Sequence, residues 1–169
     1  MNRRSKRGRD IQHPRWPKRC RWRTALHESG HVAAYLILAN VGSRAWVFRD
    51  GRGLTAHKGR PIGFVTMIAL CAGDEAARAL RHTRPPQGRT RGRGHAPVAV
   101  SSVESDIKCL DTIVIDVAPN IDTAKAVESI REQAAHFVKA NRALIGWLAE
   151  SLYLRGRIDV HAPKRETAG

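Results

Sequence analysis

The chain has 169 residues and a net charge of +15, with 42% hydrophobic and 27% charged residues. That length suits one domain and excludes two of ordinary size, and that balance excludes a disordered or collagen-like chain. The longest apolar runs, residues 32–38 and 61–73, fall short of the roughly 20 residues that cross a bilayer, so no transmembrane segment is expected.

Residues 1–22 lack periodicity, contain Pro14 and Pro17, and read as a basic, disordered tail; residues 1–23 hold ten Lys/Arg against Asp10 alone. Helical pattern starts after Thr24, an expected N-cap, and runs over residues 25–40, where Asn40 and Gly42 stop it. From Val32 to Leu38 nearly every position is apolar or small, as in a helix surrounded by other elements. Residues 45–48 and 54–57 flank Asp50-Gly51-Arg52-Gly53, a turn signal that predicts a short hairpin. Pro61 suits a first helical turn, and Ile62, Val65, Ala69, Ala72, Ala76 and Leu80 continue at helical spacing over a thin, alanine-rich face.

Residues 83–100 hold three prolines, three glycines and four arginines, which predicts a long, mobile, basic loop inserted in the domain. Val103, Ile107, Leu110, Val114 and Val117 mark a third helix closed by Pro119. Val127, Ile130, Ala134 and Phe137, then Leu144, Leu148 and Leu152, mark a fourth and a fifth, breaking near Asn141 and ending at Gly156. Residues 161–169 form a short C-terminal tail. The expected fold is mainly α with a small β-hairpin or sheet, organised as one domain over residues 23–160.

His27-Glu28-Ser29-Gly30-His31 is an H-E-x-x-H pattern inside the predicted central helix. Residues four apart lie on one helical face, so both imidazoles can bind a single zinc ion, with Glu28 beside it as general base. A catalytic zinc normally takes a third protein ligand. Ala34 and Ile37 stand where a local third ligand would be marked, and no Glu occurs between Glu28 and Glu75. The ligand must come from farther away, with Asp74, Glu75, His95, Glu104, Asp106 and Asp111 open as choices. The strand of residues 54–57, Leu54, Thr55, Ala56 and His57, offers an edge to which an extended peptide could add as another strand.

Thr24-Ala25-Leu26-His27-Glu28-Ser29-Gly30-His31-Val32 resembles the T-A-x-H-E-A-G-H-A stretch of FtsH-type zinc peptidases, the protease half of membrane-bound AAA proteases. Residues 72–77 resemble that family's A-G-x-x-A-E segment, residues 102–107 its G-A-x-x-D-[IL] segment, and residues 141–159 its C-terminal helix pair. Ala77 and Arg78 replace an acidic pair of the family, and Ser102 replaces a glycine. The resemblance implies a zincin-like helical fold, zinc ligation by His27, His31 and Asp106, general-base catalysis by Glu28, and a metalloendopeptidase. The family's ATPase module and membrane segments have no counterpart here, so the implied substrates are flexible or already unfolded polypeptides, or polypeptides delivered by an ATPase or adaptor partner.

Two further expectations concern surroundings. Cys20, Cys71 and Cys109 have no Cys-x-x-Cys spacing, and the basic start has no apolar stretch behind it, so a reducing cytoplasm is the expected location. Residues 1–23, which interleave cations with Trp16 and Trp22, and residues 84–94, which end in Arg-Gly repeats, could bind nucleic acid or an acidic protein. The rival to a peptidase is therefore a catalytically silent zinc-binding or nucleic-acid-associated module.

Overall fold

The computed structural model describes residues 18–59, 63–88, 106, 113 and 122–163. Among them, four helices pack around and beside one small sheet: α1 Lys18–Ala39, α2 Phe64–Ala79, α3 Thr123–Ala140 and α4 Arg142–Arg155, with β1 Ser43–Val47, β2 Gly53–His57 and β3 Arg157–Val160. The chain is mainly α with a small antiparallel sheet, as its sequence predicts.

Helix α1 is central for the reason its composition gives. Ala25, Leu26, Val32, Ala33, Ala34 and Tyr35 are all buried, spread around the helix rather than along one stripe, because α2, α4 and the sheet surround it. It ends at Asn40, which takes the left-handed conformation at φ 52. Its start differs from expectation. The helix begins at Lys18, so residues 18–22 belong to the fold and not to a tail, and Thr24 is an interior residue. The physical cause is Trp22. Its ring is 5% exposed, meets Tyr153 of α4 edge-on at 5.7 Å, and its Nε1 donates to the Thr83 carbonyl at 3.2 Å and the Thr83 hydroxyl at 3.1 Å. Burying an indole contributes about 2–3 kcal/mol, enough to extend the helix by the turn that carries it. The Thr24 hydroxyl sits within hydrogen-bond distance of the Cys20 carbonyl, one turn back, and at 2.6 Å from the Gly51 carbonyl in the hairpin turn.

The sheet order is β2-β1-β3, all antiparallel, with Ala45 of β1 opposite Thr55 on one side and Ile158 on the other. Ser43, Ala45 and Val47 turn inward at alternate positions while Arg44 stays exposed. The third strand is not among the elements that the sequence predicts; residues 157–159 fall in the stretch whose resemblance implies a helix pair, and they form a strand instead. Gly156 ends α4 in the left-handed conformation, as expected, and the chain turns there straight into β3.

Helix α3 opens on Asp122, whose carboxylate accepts from the Ala124 and Lys125 amides, and buries Ile130, Ala134 and Val138 at four-residue spacing. Ile130 and Ala134 join Met67, Ile68 and Cys71 of α2 in a second apolar cluster. The break near Asn141 falls where expected. Helices α1 and α2 approach so closely that a side chain at Gly30 would collide with the Ala72 carbonyl. The predicted helix over residues 103–117 lies mostly outside the described residues, although Asp106 and Ile113 are themselves helical. Most of the basic loop and the tails also lie outside them. No helix among the described residues is long and apolar enough to cross a membrane.

Candidate metal centre

His27 and His31 stand one turn apart on α1, with ring centroids 4.6 Å apart and planes nearly perpendicular. Their Nε2 atoms are 3.0 Å from each other, and Asp106 places Oδ2 at 3.2 Å from the first and 3.4 Å from the second. The other nitrogen of each ring is already committed. His31 Nδ1 is 2.7 Å from the Ala69 carbonyl on α2, which can only accept, so Nδ1 carries the proton and Nε2 presents a lone pair. His27 Nδ1 faces Asp74 Oδ1 at 3.4 Å.

Three electron-rich atoms therefore converge within hydrogen-bond distance of one another. A tetrahedral ion bound at about 2.0–2.1 Å spaces its ligand atoms about 3.3–3.4 Å apart, close to this triangle. His27, His31 and Asp106 can hold a metal ion, and they are the His/Cys/Asp/Glu group among the described residues with that property. Without a cation the cluster answers by keeping a proton. Burial works against charge on His27, but its hydrogen bonds to Asp106 and Asp74 prevail and push its pKa up to about 10. Burial likewise opposes charge on Asp106, and the two histidines outweigh it, holding the carboxyl far below its usual range.

A raised His27 pKa stabilises the metal-free fold fully below pH 6.5 and loses that contribution as pH climbs toward 10. A metal ion must displace that proton, so apparent zinc affinity is expected to rise about tenfold per pH unit between pH 6 and 8. Chelator competition at several pH values measures it; an affinity flat across that range would remove His27 as a ligand.

The cradle is built from small residues. Gly73 of α2 lies directly against the two imidazoles: a Cβ there would stand 2.5 Å from His31 Nε2 and 3.0 Å from His27 Cε1. Cys71, two residues after Ala69 on α2, is not in the group that can hold a metal, and burial pushes its thiol up to about 11.

Glu28 is 6% exposed and stands outside the three-ligand group. The hairpin holds it. Thr55 Oγ1 donates to Glu28 Oε2 at 2.6 Å, and Gly53 leaves the space beside Oε1 that any side chain would fill. Gly53, Thr55 and His57 alternate toward α1, the last stacking its ring on Tyr35 at 4.3 Å. Thr55 thus turns its side chain to Glu28, and His57 to α1. Any peptide addition by Leu54, Thr55, Ala56 and His57 would use the backbone of β2, an outer strand of the sheet.

Of the third-ligand choices, Asp106 joins the histidines, Asp74 backs His27, and Glu75 pairs with Arg78. His95, Glu104 and Asp111 lie outside the described residues. The Ala69 carbonyl, Gly73 and the contact of Thr55 with Glu28 are parts of the site that the sequence does not mark as such, and Asp74, a third-ligand choice in the sequence, instead faces His27 Nδ1. The Ala72-Gly73 step is the one signal for them, since two tiny residues in a helix imply a neighbour pressed close. Trp22 is withdrawn from any nucleic-acid surface, because its ring is in the core; Trp16 lies outside the described residues.

A helical domain with an H-E-x-x-H helix and a remote aspartate beside it, the three side chains able to hold a metal ion, is what the fold and the side chains define. No family model matches the chain, and no curated protein matches it.

Proposed function

We propose that the chain is a zinc metalloendopeptidase, similar to FtsH-type peptidases and cytoplasmic, that hydrolyses flexible or unfolded polypeptides. The observation that carries the reading is the pairing of three convergent ligand atoms with Glu28, the residue after His27, whose buried carboxylate is held by Thr55 and stands outside that group.

His27, His31 and Asp106 would hold the zinc, whose chemistry when bound is to acidify water toward pKa 7 and to polarise a carbonyl. The Ala69 carbonyl and Asp74 fix the imidazoles with Nε2 inward. Thr55 anchors the Glu28 carboxylate, which would take a proton from the attacking water and pass it to the departing amide nitrogen. The β2 backbone offers hydrogen bonds to an extended substrate.

Casein hydrolysis tests the reading. Purified chain should contain about one zinc per molecule, lose hydrolysis on chelation, and recover it with one equivalent of zinc; hydrolysis that survives complete metal removal sinks the proposal. The concentration of cations in residues 1–23 and 84–94 favours a second reading, a silent module bound to nucleic acid. Under it, zinc would leave casein intact and deletion of residues 1–17 would abolish a salt-sensitive affinity for RNA or DNA.

A further inference from the structure

Beside the metal-binding residues lies a cleft of about 460 Å³ whose walls include Arg23, Asp74, Arg78, Arg81, Asp106 and Arg131. Helical spacing places the cations. Arg23 precedes His27 by four residues on α1, and Arg78 follows Asp74 by four on α2, so each stands about 6 Å along its helix from a residue of the centre. The two helices run antiparallel, with His31 against Ala69, His27 against Asp74, and Trp22 against Thr83. Arg23, Arg78 and Arg81 therefore collect at one end of the pair, and Arg131 joins them from α3.

The charges do not cancel. Four guanidinium groups face three carboxylates in the lining, and all three carboxylates are engaged: Asp106 with the histidines, Asp74 with His27, Glu75 with Arg78. No carboxylate among the described residues pairs with Arg23 or Arg131. A divalent ion on the centre would add to the excess. Such a cleft attracts anions, and guanidinium groups bind carboxylates through paired hydrogen bonds.

We propose that this cleft is an anion subsite that seats a carboxylate of the substrate polypeptide, an Asp or Glu side chain within about two residues of the scissile bond. An extended peptide advances about 3.3 Å per residue, so two residues span the turn of helix between the metal ligands and the arginines. The inference rests on the peptidase reading and adds to it a preference for acidic sequences. A free C-terminal carboxylate shares the same chemistry.

The zinc-loaded full chain is assayed on one fluorogenic peptide series carrying Glu, Gln or Lys at the two positions on each side of the bond, each with a free or amidated C-terminus. Expected is a kcat/KM about tenfold higher for Glu than for Gln, lower still for Lys, and insensitive to amidation. An advantage that vanishes on amidation assigns the subsite to the chain terminus and overturns the side-chain form. In Arg23→Gln/Arg81→Gln the Glu to Gln ratio should fall to within about twofold, and Arg23→Glu/Arg81→Glu should invert the order in favour of Lys, which a merely structural role would not produce. Equal rates across the series overturn the subsite and leave the peptidase reading intact. Peptide anisotropy with zinc-loaded Glu28→Gln runs alongside. If wild type cleaves nothing, the peptidase reading falls; tighter binding of the Glu peptide then supports the subsite, and equal binding overturns it as well.

Discussion

Glu28→Gln should lower kcat of the zinc-loaded protein by about a thousandfold or more while zinc content stays near one per chain. The substitution keeps the size of a side chain that is 6% exposed, and the glutamine carbonyl still accepts the Thr55 hydroxyl, so the hairpin keeps its hold on α1. An amide cannot accept a proton near neutral pH. The loss should therefore appear in turnover, with metal content, fold and peptide affinity little changed. Elemental analysis beside a casein assay reads both quantities. Full turnover by the variant would remove Glu28 from the proposed mechanism; loss of zinc together with activity would make it a ligand or a structural group.

Asp106→Ala should weaken zinc binding by on the order of a thousandfold, since under the proposed function it takes away one of the three residues that can hold the ion and a charge that would balance it. Asp74→Ala gives the scale for comparison. It removes a partner of His27 Nδ1 and leaves all three ligand atoms in place, so a loss of about 10- to 100-fold is expected. Chelator competition ranks the two. Equal losses would mean that Asp106 supports the histidines in the way Asp74 does, and that the third ligand lies elsewhere in the chain.

What the sequence disclosed follows from how far its signals reach. The histidine pair is legible because 3.6 residues per turn fixes the geometry of any i, i+4 pair on a helix. The Asp50-Gly51-Arg52-Gly53 turn, the stop at Asn40 and the break at Asn141 are equally local. The start of α1 was hidden because Trp22 is set among arginines, and the composition of that stretch reads as solvated until Tyr153 and Thr83 are brought to it. Strand β3 is four residues long and gains its identity from pairing with β1. Asp74 and Thr55 are candidates in the sequence for other roles, a ligand and a peptide-binding edge; their contacts with His27 and Glu28 depend on which helix or hairpin is pressed against α1. Asp106, 79 positions after His27, is one of six choices in the sequence for the same reason, and the resemblance to FtsH-type peptidases is what points to it.

The bond between the Trp22 indole and Thr83 also fixes an electrical property of the molecule. It clamps the beginning of α1 to the segment just after α2, the two points from which the chain's most cationic stretches depart, one with ten cations over residues 1–23 and the other with five over residues 81–94. Among the described residues, Arg23, Arg81 and Arg84 thereby line one pocket beside Trp22 and Thr83, with no carboxylate in that lining. Three guanidinium groups gathered there favour the approach of a polyanion at low ionic strength, and at physiological salt their reach shrinks to about 8 Å.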